Sequence, residues 1–224
     1  MTTDELKLNI ENVTQRISRA AQTASRTVTL IAAAKTVPAE TVNAALECGI
    51  TEIGENRVQE YLQKRDAVKP LKWHFIGTLQ RNKVKYLVGE VALIQSVNCE
   101  QLASEIHKTA IKRGVVQNVL IEVNAAGEAS KTGVPFDRVD ELIAFARELS
   151  GIAVKGIMSV PPVNDDNGVY ERLFKLYDKY RDNVFDTLSV GMSGDYERAI
   201  ANGSNMVRIG TAIFGKRRST DQGV

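Results

Sequence analysis

Hydrophobic positions follow two spacings along the chain, one typical of helices and one typical of buried strands. Near the N-terminus they recur every three or four residues, at Leu6, Ile10, Val13 and Ile17. This spacing predicts an amphipathic helix. From residue 28 onward, short apolar runs that predict strands buried on both faces alternate with longer amphipathic stretches. One extra helix is therefore followed by strands and helices in regular alternation.

Eight apolar runs predict strands, at residues 28–35, 50–54, 73–77, 91–97, 118–124, 154–160, 187–191 and 206–210. The stretches between them predict helices, at residues 39–48, 56–68, 80–88, 99–113, 136–150, 166–183 and 195–202. A glycine takes the left-handed conformation that ends a helix without strain at its Cβ position. Five predicted helices end at such a residue, namely Gly49, Gly89, Gly114, Gly151 and Gly203.

This alternation predicts a single domain over residues 1–224 with the fold of a (β/α)8 TIM barrel. The extra N-terminal helix is expected to cover the bottom or the side of the barrel. An open doubly wound sheet is the alternative. No glycine-rich fingerprint follows the first strand to favour that alternative.

Composition narrows the class of protein. The net charge of +2 gives no electrostatic footprint for nucleic acid or for an anionic membrane. Cys48 and Cys99 are too far apart for a metal-ligand spacing, and they imply no disulfide framework. No basic region followed by an apolar run opens the chain, and no stretch is long enough to span a bilayer. We therefore expect a cytoplasmic protein without a metal site.

The first predicted strand ends on Lys35, and Pro38 follows where the next helix begins. Active sites of (β/α)8 barrels lie at the C-terminal ends of the strands. Burial favours the neutral form of a lysine amine, which can attack an aldehyde. The alternative is a strand-end lysine whose amine reaches solvent.

Two loops at the same end of the predicted barrel are suited to an anion. Ser193-Gly194-Asp195 follows the seventh strand and Gly210-Thr211 follows the eighth, each before a helix. Backbone N–H groups at helix N-termini bind phosphate, and barrels often bind it between these two loops. The alternative is that Ser193 or Asp195 simply caps the following helix.

Arg208 lies in the eighth strand between Val207 and Ile209. Strand alternation turns these two neighbours outward and Arg208 into the barrel. A buried arginine needs a partner, which is either a structural carboxylate such as Glu122 or a bound ligand with a ring nitrogen or an anionic group.

His74 lies in the third apolar strand, where a lone histidine is more often a hydrogen-bonded core residue than a ligand. The other histidine, His107, falls on a helix that we expect to be exposed, so no metal cluster is predicted. Two small basic clusters, at residues 81–85 and 216–218, are expected to be solvated surfaces rather than nucleic-acid sites.

A reactive lysine, a two-loop phosphate site and an inward arginine suit pyridoxal 5′-phosphate (PLP), which has an aldehyde, a phosphate and a ring nitrogen. The chain resembles the pyridoxal phosphate homeostasis proteins, small barrels similar to the N-terminal domain of alanine racemase. Six stretches carry the resemblance: residues 33–36, 54–60, 73–83, 156–158, 191–195 and 207–215. Thr78 and Val190 depart from the pattern of that family, where proline and methionine are common.

The resemblance implies that Lys35 holds PLP as an internal aldimine, which is a Schiff base, and that Arg208 faces the pyridine nitrogen. It implies a phosphate cradle made of Ser193, Gly194, Gly210 and Thr211. It places three further residues near the ring, namely Asn56, His74 and Met158.

An arginine beside the ring nitrogen keeps that nitrogen unprotonated and weakens the electron sink of PLP catalysis. Alanine racemases add a second domain with another catalytic base, for which we expect no room after the eighth strand. Together with the resemblance, this predicts a monomeric PLP carrier without dedicated catalysis. The resemblance alone implies a role in vitamin B6 and amino-acid homeostasis, with PLP-requiring apoenzymes as partners.

Two alternatives belong to other classes. One is a PLP-dependent amino-acid racemase-like enzyme, which would exchange the α-proton of an amino acid in a reaction that depends on Lys35. The other is a lysine aldolase on the same barrel, which would be colourless and would be trapped by borohydride with a keto substrate instead of PLP.

Overall fold

A computed structural model describes residues 1–69, 71–125, 127, 132–162 and 168–215 of the chain. Its strands are β1 (Thr29–Ala33), β2 (Glu52–Glu55), β3 (Lys72–Phe75), β4 (Leu93–Val97), β5 (Gln117–Asn124), β6 (Val134–Pro135), β7 (Ile152–Ser159), β8 (Thr187–Ser189) and β9 (Met206–Ile209).

Eight of these strands close into a parallel barrel. β1 pairs with both β2 and β9, and β4 pairs with β5, so the sheet of consecutive neighbours has no open edge. The two-residue β6 adds only to the end of β5, where Val134 pairs with Val123. The predicted TIM barrel is confirmed, and closure excludes the open doubly wound sheet.

The helices surround the barrel. They are α1 (Thr3–Thr23), α2 (Ala39–Glu47), α3 (Val58–Lys64), α4 (Glu100–Arg113), α5 (Val139–Arg147), α6 (Val169–Tyr180), α7 (Tyr196–Ala201) and α8 (Thr211–Phe214). Two 3₁₀-helices, Arg81–Tyr86 and Phe136–Arg138, replace the predicted α-helix at 80–88 and the start of the one at 136–150. The predicted start of the helix at 166 and the basic cluster at 216–218 lie outside the described residues.

The extra helix α1 lies on the side of the barrel. It packs against α2, α7 and α8 through its buried face, made of Leu6, Ile10, Val13 and Ile17. α8 has only four residues, so α1 covers the flank that a full-length eighth helix would otherwise cover. No helix in the described part of the chain is long and apolar enough to cross a membrane.

Four of the five helix-ending glycines have a positive φ, as predicted, but Gly151 does not. Its N–H donates a hydrogen bond to Nδ1 of His107 at 3.0 Å. A Cβ atom at Gly151 would lie 2.8 Å from that same nitrogen. Close approach to α4 therefore requires glycine here, and His107 is half-buried rather than exposed as expected.

Candidate functional site

Lys35 lies just beyond the C-terminal end of β1, at one mouth of the barrel, and is half-buried. Strand alternation gives it the same facing as Ile31, which belongs to the apolar cluster inside the barrel. The N–H of Val37 donates to the carbonyl of Ala34 at 3.0 Å. Lys35 is therefore the first of the two central residues of a tight turn at the barrel mouth.

Arg208 points into the barrel, as its position in β9 predicted, and is 4% exposed. Its Nη1 donates to the carbonyl and the hydroxyl of Ser189 at 2.7 and 2.6 Å, and its Nη2 donates to the carbonyl of Ser159 at 2.8 Å. Complete burial lowers the pKa of the Arg208 guanidinium to about 10. The group is therefore still charged at neutral pH.

The partners of Arg208 decide between the two interpretations of its sequence position. It forms no ion pair with Glu122, nor with any other carboxylate of the described residues. Its Nε–H has no acceptor among the described residues. Every hydrogen bond that it makes to the described residues goes to a neutral oxygen. The alternative of a structural pair with Glu122 is therefore not found, and a donor remains for a ligand.

Glu122 is also buried, and one of its carboxyl oxygens makes no hydrogen bond to the described residues. The hydroxyl of Thr132 donates to its Oε1, but its buried Oε2 has no hydrogen-bond partner among the described residues. Burial raises the pKa of the Glu122 carboxyl above its ordinary value, against the opposing effects of the Thr132 hydrogen bond and the Arg208 charge. A buried acceptor without a partner is costly, so this oxygen is a candidate contact for a bound group.

A chain of hydrogen bonds leads from Arg208 through the barrel interior. The hydroxyl of Ser189 donates to Oε1 of Gln95 at 2.7 Å, and Nε2 of Gln95 lies 3.3 Å from Nδ1 of His74. The other ring nitrogen of His74 lies 2.8 Å from Oε2 of Glu52. The chain joins a buried cation at one end to a carboxylate at the other, an arrangement that holds each member in place.

This series of hydrogen bonds fixes the position of His74, which is 4% exposed. Both of its ring nitrogens are occupied by protein partners, Gln95 and Glu52. The hydrogen bond from His74 is the largest cause of the lowered pKa of Glu52. As a hydrogen-bonded residue inside the barrel, His74 supports Arg208 through Gln95 and Ser189.

The two predicted anion-binding loops come together. The hydroxyl of Ser193, after β8, accepts a hydrogen bond from the N–H of Ala212, after β9, at 3.2 Å. A Cβ atom at Gly210 would lie 3.2 Å from the carbonyl oxygen of Ala33, so the second loop also touches the end of β1 beside Lys35. The structure therefore brings both loops and the lysine to one mouth of the barrel.

Neither Ser193 nor Asp195 caps the following helix, which was the alternative interpretation of the first loop. The Asp195 side chain makes no capping hydrogen bond and accepts instead from the N–H of Met192 at 2.6 Å and from the hydroxyl of Tyr170. The backbone N–H groups of Ser193 and Gly194 have no acceptor among the described residues. These N–H groups remain available as donors to an anion.

Asn56 and Met158 complete the predicted set. Asn56 follows β2 and is half-buried, and its carbonyl oxygen would lie 2.1 Å from a Cβ atom at Gly77. Loops after β2 and β3 are therefore packed directly together. Met158, in β7, is 2% exposed and belongs to the same inner cluster as Ile31.

Three charged residues beside Lys35 were not singled out from the sequence, although two of them lie in the stretch at 54–60. They are Glu55, Glu60 and Lys64. The spacing of Glu60 and Lys64, four residues apart on a helix, is a typical ion-pair signal. This spacing did not indicate that the pair would contact the turn that carries Lys35.

The chain is similar to known proteins over nearly its whole length. The family described as alanine racemase, N-terminal domain, matches residues 3–218. The pyridoxal phosphate homeostasis protein of Aquifex aeolicus is 43% identical over 221 residues, covering 93% of this chain and 97% of that protein. The protein of the same name from Escherichia coli K12 is 36% identical, covering 96% and 97%.

Among solved structures, PipY of Synechococcus elongatus PCC7942, determined with PLP bound, superimposes with a TM-score of 0.81. It is 24% identical and the match covers 94% of this chain and all of PipY, which shows a shared fold. With the family match and the two curated relatives spanning nearly the whole chain, the chain belongs to the alanine racemase N-terminal domain family and, within it, to the pyridoxal phosphate homeostasis proteins.

Proposed function

We propose that this chain binds PLP through a Schiff base on Lys35 and acts in intracellular PLP and amino-acid homeostasis. The observation that carries the proposal is the convergence at one barrel mouth of a half-buried lysine, a buried charged arginine and two loops in contact. The first of these loops has backbone N–H donors without an acceptor among the described residues. The name of the curated relatives and the PLP bound to PipY support it.

The residues at this mouth fit PLP. Among the described residues, the Nε–H of Arg208 has no acceptor and the buried Oε2 of Glu122 has no partner. Gly194 is exposed, and a Cβ atom there would meet nothing within 4 Å. The site thus has a donor and an acceptor inside the barrel that are free to bind a ligand. The first loop is exposed at Gly194, so a ligand can reach it.

Each residue has a role in holding the ligand. When bound, PLP supplies an aldehyde, with which the Lys35 amine condenses as water leaves. Arg208 is oriented by Ser189 and Ser159 to donate to the ring nitrogen. The phosphate is held by N–H groups and hydroxyls of the two loops, from Ser193, Gly194, Gly210 and Thr211. The proposal also keeps Asn56, His74 and Met158 near the ring, with His74 acting mainly through Arg208.

We propose a carrier instead of a dedicated catalyst, working as a monomer in the cytoplasm and serving PLP-requiring apoenzymes. Because Arg208 stays protonated at neutral pH, it is a donor that leaves the ring nitrogen without its own proton. A PLP ring in that state is a weak electron sink.

An absorption spectrum of the purified protein with added PLP tests this function. We expect the wild type to turn yellow and to lose its visible band on borohydride reduction, and Lys35→Ala to give only the spectrum of free PLP. A wild type that gains no band would overturn the proposal. Rapid α-proton exchange on amino acids that depends on Lys35 would instead favour the racemase-like alternative.

A further inference from the structure

The turn that carries Lys35 has an unfavourable residue at its second central position. Thr36 has a φ of 64°, whereas Lys35 does not have a positive φ. With the hydrogen bond from Val37 to Ala34, this is the sign pattern of a type II turn, in which glycine is favoured where Thr36 stands. A β-branched residue in the left-handed region is strained and persists only where its surroundings hold it.

Helix α3 supplies groups that hold both sides of the turn. The carboxylate of Glu60 accepts a hydrogen bond from the N–H of Thr36 at 2.7 Å. The ammonium of Lys64 donates to the carbonyl of Ala34 at 2.9 Å. Both bonds involve a charged partner, which makes them stronger than bonds between neutral groups. They bind the backbone of the two residues that flank Lys35 and make no contact with its side chain.

Lys64 is committed to this position by its own partners. It is 8% exposed, and its Nζ lies 2.6 Å from Oε1 of Glu55, which is fully buried. The same Nζ lies 3.7 Å from Oε2 of Glu60. An ammonium paired in this way is not an available nucleophile, and removing Lys64 would leave the buried carboxyl of Glu55 without its partner.

We propose that Glu55, Glu60 and Lys64 form a charge clamp that holds the Lys35 turn in the conformation that presents its amine to the aldehyde of PLP. This inference rests on the proposed function. Within the clamp Glu60 and Lys64 are positioning residues that act on the backbone of the turn, and Glu55 keeps Lys64 in place.

The clamp is tested with Glu60→Ala, Lys64→Met and the double variant Glu60→Ala with Thr36→Gly. Lys69→Met is the matched control, because it removes a 2.6 Å lysine–carboxylate contact that is exposed and involves no residue of the turn. Two quantities are measured: the rate at which PLP becomes reducible onto Lys35 by borohydride, and hydrogen exchange of the amide at position 36 without PLP.

For Glu60→Ala we expect labelling of Lys35 to slow about tenfold and the amide at position 36 to exchange about tenfold faster, as for the loss of one charge-assisted hydrogen bond. Lys64→Met should slow labelling comparably. Thr36→Gly should restore much of the labelling rate in the double variant, because glycine adopts the turn without strain. Lys69→Met should match the wild type in both measurements.

Folded Glu60→Ala and Lys64→Met proteins that label at the wild-type rate would overturn the clamp, as would failure of Thr36→Gly to restore labelling. If the wild type itself is not labelled, the proposed function fails instead. Exchange at position 36 then decides whether Glu60 holds the turn.

Discussion

At the scale of single residues, the buried carboxyl of Glu55 makes stability depend on pH in a way that can be measured. Burial raises the pKa of its carboxyl to about 7, against the opposing effects of Lys64 and the amide of Asn56 and with a contribution from Glu60. The folded state therefore binds this proton more tightly than the unfolded chain does. The stability that this group contributes is present at low pH and is lost as the pH rises through about 7.

We expect wild type to lose about 2 to 3 kcal/mol of unfolding free energy relative to Glu55→Gln between pH 5 and pH 8. Denaturant unfolding of both proteins at several pH values measures this. Glu47→Gln is the control. Lys69 lowers the pKa of the exposed Glu47, so the difference in unfolding free energy between wild type and Glu47→Gln should not change with pH over this range. A difference between wild type and Glu55→Gln that stays constant with pH would contradict the assignment.

The sequence predicts which way a residue faces where strand position alone decides it. Lys35 and Arg208 could be predicted because a charge at the end of, or inside, an apolar strand must face the barrel mouth or its interior. Glu55 and Gln95 were missed. Their roles depend on which side chain of another strand or helix meets them, and alternation within one strand carries no such information.

At the scale of elements, α1 shows how a helix outside the repeat supports the site. Its buried face packs on α7 and α8, which follow the two anion-binding loops, and Asn9 donates to the carbonyl of Ile213 at 3.1 Å. The sequence predicted this helix correctly from its spacing. It did not give the length of the helix after Gly210-Thr211, although Gly215, which has a positive φ, directly follows its last residue as a stop signal.

We expect Ile10→Ala to lower the free energy of unfolding by about 2 to 4 kcal/mol, because Ile10 is 3% exposed and its truncation leaves a cavity beneath α1. Leu8→Ala, on the same helix but 57% exposed, is the control and should change it by less than about 0.5 kcal/mol. Chemical denaturation compares the two. Equal effects would contradict the packing of α1 described above.

The region at 80–88 is the other element for which spacing was insufficient. Val84, Leu87 and Val88 are all buried, which gives the apolar pattern of a helix. The structure has a 3₁₀-helix over Arg81–Tyr86. Apolar spacing reports which side chains are buried but not whether the backbone bonds span three or four residues.

At the scale of the whole molecule, barrel closure is what assembles the site. Pairing of β1 with β9 places Ile31 opposite Arg208 and brings the first and last strands of the chain side by side. The regular alternation of strands and helices made closure predictable, since eight parallel strands suffice for a barrel. The hydrogen-bond chain from Arg208 to Glu52 was not predictable, because it depends on contacts across the barrel interior.

The central claim is that Lys35 is the residue that holds PLP. Its most direct test is peptide mass mapping after borohydride reduction of the wild-type protein mixed with PLP. We predict that the added phosphopyridoxyl mass lies on the peptide that contains Lys35, and that the same peptide of Lys35→Ala carries none. A label on another lysine of the wild type, with Lys35 unmodified, would contradict the account.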